Sequence, residues 1–269
     1  AGYGTLMTIF VLINGLNGGS TDPDHLGWFE LSSAQLGAGV GVSNGVIGTP
    51  SFSEITVTLD GVAPGLLGQL ASGNSLGSVR FQQVDDAGNV VYDLILGDAF
   101  VTGNSLSSGG GAPSSSLSFA YGLFGLTTPD GSFGYDRATN AAIDPATIPQ
   151  PVVGGLDALE STQVTQYYLL IGPEVGQQNV TSKAWFAIES IQLGAGVGVS
   201  TPTPGGAVSV SEPSFSDVTV TLDGLSPALL ETLANRTGLN SVQVQGVNAA
   251  GTVIYDLRLA DVVIGGNSF

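Results

Sequence analysis

His25 is the only histidine in the chain, and there is no cysteine. One imidazole with no Ser or Cys partner in a recognisable arrangement does not make a nucleophilic relay, so His25 reads as a structural residue. Without cysteine, disulfides and thiolate metal sites are excluded. Two clusters carry the oxygen ligands that calcium takes, Asp85-Asp86 and Ser20-Thr21-Asp22-Pro23-Asp24. Neither completes an EF-hand or a calcium-binding nonapeptide, and the same residue types close turns by hydrogen-bonding their own backbone. The stretch GAGVGVS, from Gly37 and again from Gly194, resembles a dinucleotide-binding fingerprint only superficially, since another strand follows it where that fingerprint needs a helix. Asn179-Val180-Thr181 and Asn235-Arg236-Thr237 match a glycosylation sequon, a short pattern that recurs by chance. No catalytic residue, cofactor or metal site is expected, and the chain does not read as an enzyme.

The elements around these residues are strands and turns. Of 269 residues, 42% are hydrophobic, only 10% are charged and 41 are glycine, a composition that suits short strands joined by tight turns. The 22 acidic and 5 basic side chains give a formal charge of −17. That charge repels phosphate backbones and anionic lipid surfaces, so no nucleic acid is expected as a partner. No apolar run reaches the length of a membrane span, so no membrane insertion is expected. A single lysine, Lys183, amid abundant Gly, Ser and Thr fits an exported bacterial surface protein, and the start at Ala1-Gly2-Tyr3-Gly4 suits a mature chain after signal cleavage.

The chain repeats itself. FELSSAQLGAGVGVS from Phe29 returns as FAIESIQLGAGVGVS from Phe186, 157 residues later. PSFSEITVTLDGVAPGLL from Pro50 returns as PSFSDVTVTLDGLSPALL from Pro213, and GNVVYDLILGDAFVTGNS from Gly88 as GTVIYDLRLADVVIGGNS from Gly251, both 163 residues later. The second copy therefore holds six extra residues, in the Pro/Gly-rich stretch after Ser200. These matches predict a first module over residues 1–142, a linker over 143–163 and a second module over 164–269. The second module lacks the counterpart of the terminal strand pair of the first.

Period-two alternation predicts strands over Thr8–Ile13, Trp28–Leu36, Ser53–Leu59, Val79–Val84 and Val90–Leu96, with Ala99–Thr102 continuing after a bend. Leu117–Leu126 and Ser132–Tyr135 flank a Pro129-Asp130-Gly131 turn. One short helix is predicted per copy. In the second, Ser226 caps, Pro227 takes the first helical position and Gly238 ends it. In the first, Pro64–Ala71 is weakened by Gly65 and Gly68, at about 1 kcal/mol each. Each module is thus a mainly β barrel or sandwich with one short helix.

In order along the first copy come Ile9-Phe10-Val11-Leu12-Ile13 with Gly15, Gly19-Ser20-Thr21-Asp22 with His25 and Trp28, and Pro50-Ser51-Phe52-Ser53 leading to Leu59. Ala63-Pro64, Val90-Val91-Tyr92-Asp93-Leu94, Ser116-Leu117-Ser118-Phe119, Asp130-Gly131 and Asp136-Arg137-Ala138-Thr139-Asn140 follow. In number and order these features resemble the Hcp family of type VI secretion, here as a tandem duplication. The resemblance implies a structural protein without enzymatic activity, building six-membered rings that stack into hollow tubes, with the loop matching Gly37 to Pro50 helping one ring stack on the next. The assembly residues it implies are Gly37, Gly39, Gly41, Val42 and Pro50, and in the second copy Gly194, Gly196, Gly198, Val199 and Pro213.

With two modules per chain, the partner expected is the chain itself: a trimer forming a six-lobed ring, stacked or helical. The open edge of the second module invites donor-strand exchange from Ala1–Leu6 or the linker around Pro151–Ser161. The function expected is a subunit of a secreted, extracellular bacterial tube or filament. A type VI tube or cargo-carrier protein is the alternative. A surface adhesin or carbohydrate-binding module is a third reading, in which Trp28 and Trp185 would stack on sugars, although their position between apolar strand residues favours core packing.

Overall fold

A computed structural model describes residues 7–43, 46–61, 63–109, 113–155, 164–172, 185–200, 208–222, 231, 234–235 and 238–266. The strands of the first copy are β1 (Thr8–Ile13), β2 (Phe29–Gln35), β3 (Ala38–Ser43), β4 (Val46–Phe52), β5 (Ile55–Asp60), β6 (Gly77–Val84), β7 (Val90–Gly109), β8 (Ser114–Ala120), β9 (Leu123–Thr128), β10 (Gly131–Asp136) and β11 (Ala141–Ile143), with helix α1 (Pro64–Ser72). Those of the second copy are β12 (Gln166–Ile171), β13 (Phe186–Gly196), β14 (Val199–Ser200), β15 (Ser209–Val210), β16 (Ser214–Phe215), β17 (Thr219–Leu222), β18 (Leu239–Val247) and β19 (Val253–Val262).

The chain divides into two compact units, neither contiguous in sequence. Unit 1 is residues 1–105, 115–159 and 194–216; unit 2 is residues 106–114, 160–193 and 217–269. Each unit is therefore completed by a segment of the other sequence copy.

In unit 1 the strand order β7-β6-β1-β2-β5-β8 closes through a β8–β7 pairing into a six-stranded barrel. Closure removes both sheet edges. The inward residues of every barrel strand meet in one core that includes Val11, Ile13, Phe29, Val57, Leu59, Phe81, Leu96 and Phe119. Helix α1 starts at a proline, ends on left-handed Gly73 and buries Leu66 and Leu70 in the same core. Its cap residue Ala63 offers no side-chain bond, so apolar burial rather than capping holds this glycine-weakened helix.

The mainly β fold with a short helix agrees with the sequence reading, and three details differ. β7 is one 20-residue strand, not two. The expected bend is a bulge at Asp98, whose φ of 50° shifts the register against β6 between Gly77 and Ser78. Leu117–Leu126 is not one strand: Phe119, Ala120 and Tyr121 are buried in succession, which no flat strand permits, and the chain passes from β8 to β9, which pairs with β7. Gly37 to Pro50 is not an open loop but part of the hairpin β3–β4, with Ala38 opposite Phe52.

Unit 2 repeats the strand neighbours of the barrel. β19 pairs with β18, β18 with β12, β12 with β13 and β13 with β17, as β7, β6, β1, β2 and β5 do in unit 1. The left-handed backbone recurs as well: Asp261, the counterpart of Asp98, has φ 51°. The core holds Val164, Tyr167, Leu169, Ile188, Ile191, Val242 and Val244. The second predicted helix falls largely outside the described residues.

The linker is bonded to its own chain as far as it is described. Gly15 donates to the Val152 carbonyl at 3.0 Å and Gly154 to that of Leu16 at 3.1 Å. A Cβ on Gly154 would stand 1.8 Å from the Gly15 oxygen, so only glycine fits that approach. Residues 151–155 are thus engaged within unit 1 and are not a free donor strand. Residues 1–6 and 156–163 lie outside the described residues.

Candidate assembly surfaces

The residues that could have done chemistry hold structure. His25 is 4% exposed, stacked at 4.1 Å on the Phe10 ring and edge-on to Trp28. Its Nδ1 lies 2.8 Å from Asp22 Oδ1 and its Nε2 3.0 Å from Gln82 Oε1. The imidazole ties the turn after β1 to β6. Asp22 Oδ1 also accepts the amides of Asp24 and His25, and Asp85 Oδ1 those of Ala87 and Asn89. Both acidic clusters thus close turns, and among the described residues no group of three His, Asp or Glu side chains is placed to hold a metal. Trp28 packs with Phe10, Leu12 and Val84 and is not offered to a sugar; Trp185 is half-buried.

The hydrogen bond from His25, helped by the backbone amides, holds the Asp22 carboxyl below its ordinary 3.8. A carboxylate depressed in the folded state adds stability above its unfolded value, and that contribution is lost as pH falls through the folded value. The urea midpoint is therefore expected to drop below about pH 3.8, and Asp22→Asn should flatten that drop. An acid limb identical in the variant would show that Asp22 is not its source.

Elsewhere burial raises ionisable hydroxyls. Tyr121 is pushed up to about 12, opposed by Arg137. The Tyr121 hydroxyl donates to the Ser53 carbonyl at 2.9 Å and anchors the foot of the β3–β4 hairpin. Arg137 reaches back to the Tyr121 carbonyl at 2.8 Å, with its guanidinium 5.1 Å from that ring. Tyr167 and Tyr255 in unit 2 are raised by burial as well, Tyr167 with Ser108 of the exchanged segment opposing the rise.

The two glycine-rich hairpins share a sequence and differ in environment. In the first copy Gly39, Gly41 and Val42 lie on β3 and Pro50 on β4; Gly37, Gly39 and Pro50 are exposed. In the second, Gly194 and Gly196 end β13, Val199 opens β14, Gly198 stands between them and Pro213 precedes β16. This second hairpin belongs to unit 1. Val197 is buried at 8% exposure and donates its amide to the Thr102 carbonyl at 2.9 Å. Ala195, Val199 and Val210 pack on the barrel core, and a Val210 methyl lies 3.2 Å from where a Cβ on Gly73 would sit. Val40, the counterpart of Val197, is 48% exposed. Sequence reasoning singled out the glycines and missed Val40, Val197, Gly73 and Thr102. The available signal was the unbroken identity of QLGAGVGVS in two copies that diverge on either side.

A second asymmetry lies at the feet of the hairpins. Phe52 stacks on Phe124 and leans on Tyr135, from β9 and β10. Its counterpart Phe215 is 56% exposed.

A family model described as type VI secretion system effector, Hcp, matches residues 10–127. Among solved structures the chain is similar to Hcp1 from Salmonella typhimurium, at 19% identity and a TM-score of 0.45 over 51% of this chain and 99% of that one. It is similar to a type six secretion system protein at 17% identity and a TM-score of 0.47, covering 51% of this chain and all of the other. Hcp1 from E. coli EAEC 042, as a double tryptophan mutant, is 15% identical with a TM-score of 0.44, over 49% and 98% of the two chains. No curated protein sequence matches.

Proposed function

We propose, from the match of residues 10–127 to the Hcp family of type VI secretion, that the chain is a structural subunit that assembles with copies of itself into a secreted tube or filament of stacked rings. The observation that carries this reading is the tandem repeat of one β-module, in which the second copy restores the strand neighbours of the first. Two modules stand where a ring of single modules would use two subunits. The exposed apolar side chains of Val40, Phe133, Phe215 and Val263 then serve as subunit contacts. The glycines of both hairpins, from Gly37 to Gly41 and from Gly194 to Gly198, allow close backbone approach there.

Negative-stain microscopy of the purified chain tests the reading: regular tubes or rings are expected, and dispersed monomers at all concentrations would refute it. Native mass measurement of a solubilised ring is expected to give three chains, one for each pair of lobes. Six chains per ring would refute the pairing while leaving the tube intact.

The description of the matching family, a type VI secretion effector, favours one second reading, a tube or cargo-carrier protein loaded into a contractile apparatus. Release of the protein from cells lacking the contractile sheath separates the two. Undiminished release supports an independently secreted filament, and loss of release supports the type VI route.

A further inference from the structure

On the outer face of unit 1 lies a polar cleft that self-assembly does not use. Cross-strand pairs build it. Gln82 of β6 stands opposite Asp93 of β7, Asp93 opposite Thr127 of β9, and Thr127 opposite Ser132 of β10. Directly opposed residues share a face of the sheet, so these side chains form one polar row across four strands. Leu94 and Leu96, which flank Ile95, point into the core instead. Two residues along each strand, Arg80, Ile95, Gly125 and Gly134 make a second row on the same outer face. Its two glycines seat the 3₁₀ turn Pro145–Thr147. A Cβ on Gly125 would stand 2.8 Å from Pro145 Cβ, and one on Gly134 3.1 Å from Pro145 Cδ. The turn thus walls a cavity of about 230 Å³, floored by Arg80, Asp93 and Ile95 and rimmed by Thr127, Ser132 and Gln150.

The floor is held rigidly. Arg80 donates Nε and Nη2 to the Asp93 carboxylate, whose Oδ2 also accepts Gln82 Nε2 at 3.0 Å, and Gln82 Oε1 lies 3.0 Å from His25 Nε2. Nη1 is then the donor that Arg80 can offer to a ligand. Asp144 Oδ1 accepts the Ala146 amide at 3.0 Å, which fixes the wall. Among the described residues, the side chains of Thr127, Ser132 and Gln150 have no hydrogen-bond partner within the protein. Charge narrows what fits. Asp93 neutralises Arg80, Asp144 adds a negative charge, and the chain carries −17, so an anion gains nothing here. What remains is two hydroxyls, an amide and a guanidinium edge beside the apolar surface of Ile95 and Pro145. Such a lining matches a neutral molecule with hydroxyls around its edge and C–H groups on its face.

We propose that this cleft binds one sugar ring of a neutral saccharide, with Thr127, Ser132, Gln150 and Arg80 Nη1 bonding its hydroxyls and its apolar face lying on Ile95 and Pro145. In the second copy Gln243 and Arg258 stand where the first has Arg80 and Ile95, so the same floor is not repeated and one site per chain is expected. The site gives the protein a ligand of its own and does not rest on the self-assembly reading.

The test is saturation-transfer NMR and titration calorimetry on the full chain. The probes are the methyl glycosides of glucose, galactose, mannose and N-acetylglucosamine. At least one is expected to bind at one site per chain, with a Kd on the order of 1 mM for so small a ligand. Binding of a neutral ligand should not change on adding salt. The double variant Thr127→Val/Ser132→Ala is expected to weaken binding about tenfold, for two lost hydrogen bonds. Ala146→Trp, which fills the cleft, should abolish it. All three replaced side chains are exposed, so urea unfolding is expected to match that of the parent chain. Should one variant unfold, the other carries the comparison. Failure of every glycoside to bind overturns the proposal, and so does binding that survives both variants. Inorganic phosphate and lysine methyl ester are run beside the sugars. Binding of either one in place of the sugars, lost in the variants, would make the cleft an ion site and overturn the saccharide.

Discussion

Val197→Asp will destabilise the monomer by about 3–5 kcal/mol, whereas Val40→Asp will change its stability by less than about 0.5 kcal/mol. The two positions share their flanking sequence, so helix or strand propensity cannot separate them. Burial does. Val197 sits at 8% exposure against the barrel core, and Val40 at 48%. At Val197 the substitution removes an apolar side chain worth about 1.5–3 kcal/mol. It also places a carboxyl in a buried site against the barrel core, at a further cost of about 1–3 kcal/mol. At Val40 the carboxylate stays in water. Urea unfolding of dilute, unassembled protein measures both. Equal effects at the two sites would mean that the second hairpin is not seated in solution.

Much of the fold is legible in the sequence, because alternation is a local property. Thr8–Ile13 falls within its predicted bounds, and Val79–Val84 differs only by an earlier start at Gly77. Alternation also foretold a break near Asp98, although the structure absorbs it as a bulge within one strand. Errors came where a strand changes partner without changing composition. Phe119 to Tyr121 are apolar in a row, and nothing local says that the chain turns there from one neighbour to another. The exchange of residues 106–114 and 194–216 between units is hidden for the same reason. Hairpins of the same sequence have the same local preferences, and only the surface each one meets decides which is buried. His25, which looked chemical, stacks on Phe10, and the acidic clusters accept backbone amides in their own turns. The candidate surface was half-legible: the repeat marked the hairpins, but the seat of Val197 at Thr102 appears only once strands are in register.

Leu96→Ala will cost about 2–5 kcal/mol, and Leu259→Ala, at the same place in the repeat, about half as much in the isolated chain. Both leucines face a β partner valine, Val79 for Leu96 and Val242 for Leu259. Leu96 is fully buried in a closed barrel, so truncation leaves a cavity that six paired strands cannot easily collapse. Leu259 is already partly in water, so less area is lost and the neighbours can relax. The units may be followed separately by intrinsic fluorescence and amide exchange, since a chain of two units need not unfold in one step. A cost equal to that of Leu96→Ala in the monomer would mean that unit 2 is closed within a single chain.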